Sequence, residues 1–137
     1  MTIKIKKLVH IGVRVDPDDN SINEANAFCS DALGLQIDTQ RPEIKNISDF
    51  WVDISDGDRT QEVHVIGATE ASPVSCSKTE GPTRMHIAFA VENIDGARSL
   101  LAKKRVKYWE YGGLVGPASL LIFFEDPCGN MIELQDD

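Results

Sequence analysis

The feature that most constrains this chain is an internal repeat. Leu8-Val9-His10-Ile11-Gly12-Val13-Arg14-Val15 and Arg84-Met85-His86-Ile87-Ala88-Phe89-Ala90-Val91 are both apolar strands with a histidine near the start. Each is followed by a short polar stretch and an amphipathic helix. The first helix is expected over residues 21–33, opened by a Ser21/Glu24 capping box. Its apolar face is Ile22, Ala25, Cys29, Ala32 and Leu33 at helical spacing. Gly34 is placed to end it in the left-handed conformation. The second is expected over residues 94–104, with Asn93 as N-cap and Ile94, Ala97, Leu100 and Leu101 on its apolar face. Lys103, Lys104 and Arg105 stand at its C-terminal end, where the helix dipole favours positive charge.

Three strand candidates follow each helix, at residues 35–41, 50–55 and 61–67 and again at 106–111, 119–125 and 130–135. Asp56-Gly57-Asp58-Arg59 and Asp126-Pro127-Cys128-Gly129 are the matching turns. Both halves therefore read β-α-β-β-β. The fold class expected is α+β: two such modules in one domain, forming a curved, cup-shaped mixed β-sheet with the helices outside. Module one covers about residues 1–67 and module two about 83–137. A connector rich in Ser, Thr, Glu and Pro lies between them at 68–82.

Strand side chains alternate faces with period two. On the first strand Val9, Ile11, Val13 and Val15 are expected under the helix, with His10, Gly12 and Arg14 on the other face. On the fifth, Met85, Ile87, Phe89 and Val91 are expected under the helix, with His86, Ala88 and Ala90 opposite. The small residues beside each histidine leave room for a ligand.

Composition narrows the function classes. The chain has 137 residues, 14 Lys plus Arg against 22 Asp plus Glu, and a formal charge of −8. This excess of negative charge disfavours nucleic acid and anionic membrane surfaces as partners. No apolar run approaches the roughly 20 residues of a membrane helix. The N-terminal residues carry no secretory signal pattern. Three cysteines, Cys29, Cys76 and Cys128, make no even framework, and are expected as free thiols in a cytoplasmic protein.

All three histidines, His10, His64 and His86, fall within expected strands. Under the repeat His10 is equivalent to His86, and His64, in Glu62-Val63-His64-Val65-Ile66, is equivalent to Glu133, in Met131-Ile132-Glu133-Leu134-Gln135. A lone strand histidine is more often a satisfied core residue than a ligand. Four metal-capable groups in two equivalent pairs, one of them a carboxylate in an apolar strand, point instead to a cation. Imidazole and carboxylate suit Zn, Ni, Co, Mn or Fe.

These segments, together with Phe123-Phe124-Glu125-Asp126-Pro127-Cys128-Gly129-Asn130 leading into the last strand, resemble the vicinal oxygen chelate superfamily. That superfamily includes glyoxalase I, methylmalonyl-CoA epimerase, fosfomycin resistance enzymes, extradiol dioxygenases and bleomycin resistance proteins. The resemblance covers residues 8–135, and Cys128 stands where the family usually has a second Asp. It implies one divalent metal per site, held by His10, His64, His86 and Glu133, with open positions for two adjacent substrate oxygens. A cation there stabilises an enediolate or a developing oxyanion.

The metal-dependent, glyoxalase-like branch implies lyase or isomerase chemistry on a small oxygenated substrate, with Glu133 as the proton-transfer group. Arg14 and Arg41 are candidate anchors for substrate carboxylates, and Trp51 and Trp109 candidate lining residues. Glyoxalase I usually carries Glu at the position of His64. The alternatives are fosfomycin-resistance-like, epimerase or extradiol dioxygenase chemistry. From another class comes a metal-free, bleomycin-resistance-like binding protein. A two-fold homodimer is the expected assembly. Residues 112–117, with Gly112 and Gly113, are most simply a surface connection.

Overall fold

The computed structural model describes residues 1–69, 83–114, 116, 118–127 and 129–137. Its elements are β1 (Ile5–Val15), α1 (Asp19–Ala27), a π-helical turn (Phe28–Ala32), β2 (Gln36–Asp38), β3 (Asp49–Asp53), β4 (Glu62–Gly67), β5 (His86–Val91), α2 (Ile94–Lys103), β6 (Tyr108–Gly112), β7 (Leu120–Glu125) and β8 (Met131–Asp136). The order is β-α-β-β-β twice, an α+β fold as expected. The strands form a mixed sheet in the order β2-β3-β4-β1-β5-β8-β7-β6. Most of the expected connector (70–82, with Cys76) lies outside the described residues, as do Cys128 of the second turn and Val115 and Pro117 of the 112–117 connection.

The chain divides into two compact units, one of His10–Met85 and one of Met1–Val9 with His86–Asp137. Strand β1 gives its second half to the former and its first half to the latter. In the unit of His10–Met85, β4 runs parallel to β1 and antiparallel to β3, which pairs with β2. Phe50, Val52 and Val65 form its buried apolar layer, with Val13 and Val15 packed against it. Ile22, Ala25 and Cys29 of the helical segment cover that layer, as their spacing predicts.

The start and end of this helix depart from expectation. Asp18, not Ser21, is the N-cap: its Oδ1 accepts the Ser21 backbone N–H at 2.8 Å and its Oδ2 the Ser21 hydroxyl at 2.7 Å. After Ala27 the chain widens into the π-helical turn, closed by Leu33 N–H to Phe28 O at 3.1 Å. The extra residue per turn rotates the tail away from the sheet. Ala32 and Leu33, expected on the apolar face, are consequently exposed, as is Phe28. Gly34 takes the left-handed conformation expected of it, φ +67°.

In the other unit β8 lies between β5, parallel, and β7, antiparallel, and β6 pairs with β7. Asn93 caps α2 as expected, accepting Gly96 N–H at 2.8 Å. Ile94, Ala97 and Leu101 of α2 pack on Val91, Ile122 and Leu134. Complete burial of Ile122 or Leu134 contributes roughly 1.5–3 kcal/mol each. Phe89 and Val91 lie in this layer, but Met85 and Ile87, expected beside them, are exposed. The helix covers only the end of β5. A second layer, of Tyr111, Leu121, Phe123 and Met131, has Trp109 against it. The turn after β7 has Gly129 at φ +86° and Asp126 N–H bonded to Asn130 O at 2.9 Å.

Candidate metal centre and its surroundings

The register of the two parallel strand pairs establishes the repeat at atomic detail. In β1 and β4, Gly12 stands across from His64, with His10 two residues before Gly12. In β5 and β8, Ala88 stands across from Glu133, with His86 two residues before Ala88. Each module thus presents a histidine and a second metal-capable group on one face, separated by a small residue. The equivalences read from the sequence, His10 with His86 and His64 with Glu133, are positions of the same register.

In the second-module unit, His86 Nε2 lies 3.0 Å from Glu133 Oε2, and both side chains are almost wholly buried. Phe123, which stands across from Glu133 on β7, meets the His86 ring edge-on at 5.3 Å and Tyr111 edge-on at 5.6 Å. Trp109 stands across from Phe123 on β6, partly buried, with Lys107 Nζ 5.1 Å from its ring centre. An imidazole and a carboxylate are therefore held in a dry, aromatic-walled setting.

In the first-module unit, His10 and His64 are both buried, their rings edge-to-face at 6.0 Å. Trp51 stacks on His64 at 3.8 Å with an 11° interplanar angle and meets His10 edge-on at 5.0 Å. Asp49, two residues before Trp51 on the same face of β3, has Oδ2 2.5 Å from His64 Nε2. The Arg41 guanidinium lies 4.3 Å from the Trp51 ring centre. Its Nε and Nη2 both donate to Glu62 Oε1, the former at 2.7 Å. Glu62 has a fully buried side chain. Burial raises its carboxyl above the ordinary range, opposed by the bonds from Arg41. Burial also pushes Asp38 upward, but bonds from Arg59 Nε (2.7 Å) and Gln40 N–H (2.9 Å) outweigh it and hold Asp38 low.

Arg14, expected as a substrate anchor, is bonded to Thr69 and Thr83. Its Nε donates to Thr83 O at 2.6 Å, Nη1 to Thr69 O at 2.8 Å and Nη2 to Thr83 Oγ1 at 3.2 Å. One guanidinium thus holds both ends of the segment leading from β4 to β5. The sequence reading missed Asp49 and Glu62. The period-two alternation Asp49-Trp51-Asp53 and Glu62-His64 would have placed them on the face of the histidines.

A family model, the Glyoxalase/Bleomycin resistance protein/Dioxygenase superfamily, matches residues 7–134. The chain belongs to this superfamily. Solved structures share its fold at low identity. Methylmalonyl-CoA epimerase from Mycobacterium tuberculosis is 16% identical over 99% of this chain and 91% of that one, with a TM-score of 0.67. The Mn(II)-bound glyoxalase from Novosphingobium aromaticivorans is 20% identical over 99% of this chain and 40% of that one, with a TM-score of 0.65. A variant of homoprotocatechuate 2,3-dioxygenase from Brevibacterium fuscum is 14% identical over 98% of this chain and 33% of that one, with a TM-score of 0.66. No curated protein matches. Among the described residues no helix is long and apolar enough to cross a membrane.

Proposed function

We propose that this superfamily member is a divalent-metal-dependent enzyme with glyoxalase I-like lyase or isomerase chemistry, acting on a small substrate with adjacent oxygens. The observation that carries the reading is the buried His86–Glu133 pair. Two ligands of one cation, each about 2.1 Å from it and roughly at right angles or wider, have donor atoms about 3 Å or more apart. The 3.0 Å between His86 Nε2 and Glu133 Oε2 fits that requirement.

The ligand set proposed is His10, His86 and Glu133, all buried. A divalent ion in this set would supply Lewis-acid stabilisation of a developing oxyanion. His64 is assigned the proton transfer, because its Nε2 is engaged by Asp49, which orients the ring as a base requires. Trp51 packs against His64 and restricts its rotation. The resemblance implies Glu133 as the proton-transfer group; as a ligand it would have to leave the ion first. Phe123 and Tyr111 keep water from the His86–Glu133 pair. The reading takes Arg41, Trp51 and Trp109 as substrate-side residues, and assigns Arg14 to the chain connection.

A second reading draws on the same three groups. Two histidines and one carboxylate form the facial set of Fe(II) oxygenases, which would make the protein a dioxygenase. The test begins with metal content by mass spectrometry. His10→Ala, His86→Ala and Glu133→Gln are expected to lose the metal and His64→Ala to retain it. Full metal in both His10→Ala and His86→Ala overturns the proposal. Deuterium exchange into hydroxyacetone in D2O, abolished in His64→Ala, is the expected activity. Oxygen uptake by the Fe(II)-loaded protein with a catechol selects the second reading. We further propose a two-fold homodimer, to be read as twice the single-chain mass by light scattering.

A further inference from the structure

The repeat makes the two helical segments comparable, and they carry opposite charge. From residue 16 to residue 40 the first has Asp16, Asp18, Asp19, Glu24, Asp31 and Asp38 and no Lys or Arg. From residue 97 to residue 108 the second has Arg98, Lys103, Lys104, Arg105 and Lys107 and no Asp or Glu. Arg98 is committed to Asp95 and Glu110, and Lys107 lies against Trp109. Lys103, Lys104 and Arg105 are exposed and make no ion pair among the described residues.

The fold does not require these cations. Each helical segment ends in one left-handed residue, Gly34 at φ +67° in the first module and Arg105 at φ +58° in the second. Both turns are closed by a backbone bond reaching back into the helix, Leu35 N–H to Cys29 O at 2.9 Å and Val106 N–H to Leu101 O at 3.0 Å. Glycine suits that backbone and a residue with a Cβ does not, so module one shows what the turn alone asks for. Its last helical turn holds no basic residue, so the helix dipole does not demand one either. The end of the first segment presents the complement of the cations. Phe28 is 60% exposed and Leu33 54%, with Ala27, Ala32, Glu24 and Asp31 exposed in the same segment. The side chains of Glu24 and Asp31 bond uncharged groups, Asn20 and Ser30.

We infer that the end of α2, with Lys103, Lys104 and Arg105, docks on the Phe28–Leu33 patch of a second copy of this chain. Carboxylates of one copy then face cations of the other, and the lysine stems cover the apolar patch. The strained backbone of Arg105 is kept for a contact outside its own chain. Copies that each carry a charge of −8 repel, and this cation cluster is where the repulsion is reversed. Like patches do not pair, since acid would meet acid and base would meet base. The pairing of α1 with α2 suits a two-fold axis, because the contact is then made twice. Each patch needs to supply only about half of the roughly 800 Å² per partner of a standard interface. The same net charge disfavours nucleic acid and anionic membranes as occupants. The inference rests on the two-fold homodimer proposed above and supplies its interface.

The experiment is light scattering on the whole, metal-loaded chain, alone and in mixtures. Wild type should have twice the single-chain mass and move toward the single-chain mass in about 1 M salt, where charge attraction is screened. Asp31→Lys and Arg105→Glu should each weaken the dimer about tenfold. Mixed in equal amounts, the two should recover it. In the mixed pair one contact has both charges exchanged and the other is that of wild type, so both attract. Should Asp31→Lys fail to fold, Glu24→Lys takes its place. Phe28→Ser should weaken the dimer as well. Arg105→Gly should weaken it while raising resistance to urea at dilution, because the left-handed turn then has the residue that suits it. A purely structural Arg105 would give no such split. None of these residues is a proposed metal ligand, so metal content should stay at the wild-type level throughout. Variants that dimerise as wild type does overturn this face and keep the two-fold assembly. A mixture that stays at single-chain mass overturns it too. A single-chain mass for wild type overturns both. A dimer that behaves as expected but holds no metal would overturn the proposed enzyme and keep the interface.

Discussion

The Arg41 guanidinium is bonded to Glu62 on the buried face of β4. Removing Arg41 leaves a carboxylate that water does not reach, the costly half of a broken buried pair. Arg41→Ala is therefore expected to destabilise the protein by about 3 kcal/mol in urea unfolding. Adding Glu62→Gln should recover part of that loss, because the orphaned charge is then gone. A single variant as stable as wild type would show that Glu62 is solvated. The residue scale is also where legibility divides. His10, His64, His86 and Glu133 were readable because the repeat states them twice, and a register of parallel strands preserves what the repeat states. The engagement of Arg14 was not readable. Its partners lie 55 and 69 residues away in sequence, and no local pattern says that a guanidinium beside a histidine strand will bind backbone oxygens.

At the scale of elements, α1 and α2 show two degrees of legibility. Asn93 is the one strong capping residue immediately before α2, so the start of that helix follows from the sequence. Before α1 the chain reads Asp16-Pro17-Asp18-Asp19-Asn20-Ser21, and several of these residues are competent caps. Tertiary packing of Ile22 and Ala25 on the sheet selects among them, and Asp18 is the result. Asp18→Ala should lower stability by about 1 kcal/mol. Ser21→Ala should cost less, since the Ser21 N–H still reaches Asp18. The opposite ranking would restore Ser21 as the cap. The π-helical turn had no signature, because Phe28, Cys29 and Leu33 also fit a continuous α-helical stripe. The strands were found within a few residues, although β2 is only Gln36–Asp38 of an expected seven-residue segment. Its far half, 39–41, turns away so that Gln40 N–H and Arg41 can reach Asp38 and Glu62.

Across the whole molecule, the ends of the chain are tied together. Lys6 Nζ bonds Asp137 Oδ2 at 2.5 Å, and Lys7 pairs with Oδ1 of the same carboxylate. Hydrogen bonds from Lys6 and then Lys7 hold Asp137 at about 2, below its ordinary 3.8. The folded pKa is depressed, so this contribution is present above about pH 4 and is lost as pH falls toward 2. Asp137→Asn should therefore melt below wild type at pH 5, and the gap should close for the most part as pH falls to about 2. Added salt should narrow the gap at pH 5, because the pair is exposed. A gap that persists unchanged at pH 2 would assign it to another cause. With the ends joined at Asp137, the clamp of Arg14 on Thr69 and Thr83 acquires a further meaning. The chain leaves the first module and enters the second at points that one side chain fixes, whatever covalent path joins them. A protein cut at a protease site inserted between residues 70 and 82 should therefore stay folded, because Arg14 holds the chain on both sides of the cut. Its circular dichroism and metal content should match those of the parent. The peptide bond at the cut would then matter to the making of the protein and not to its finished state.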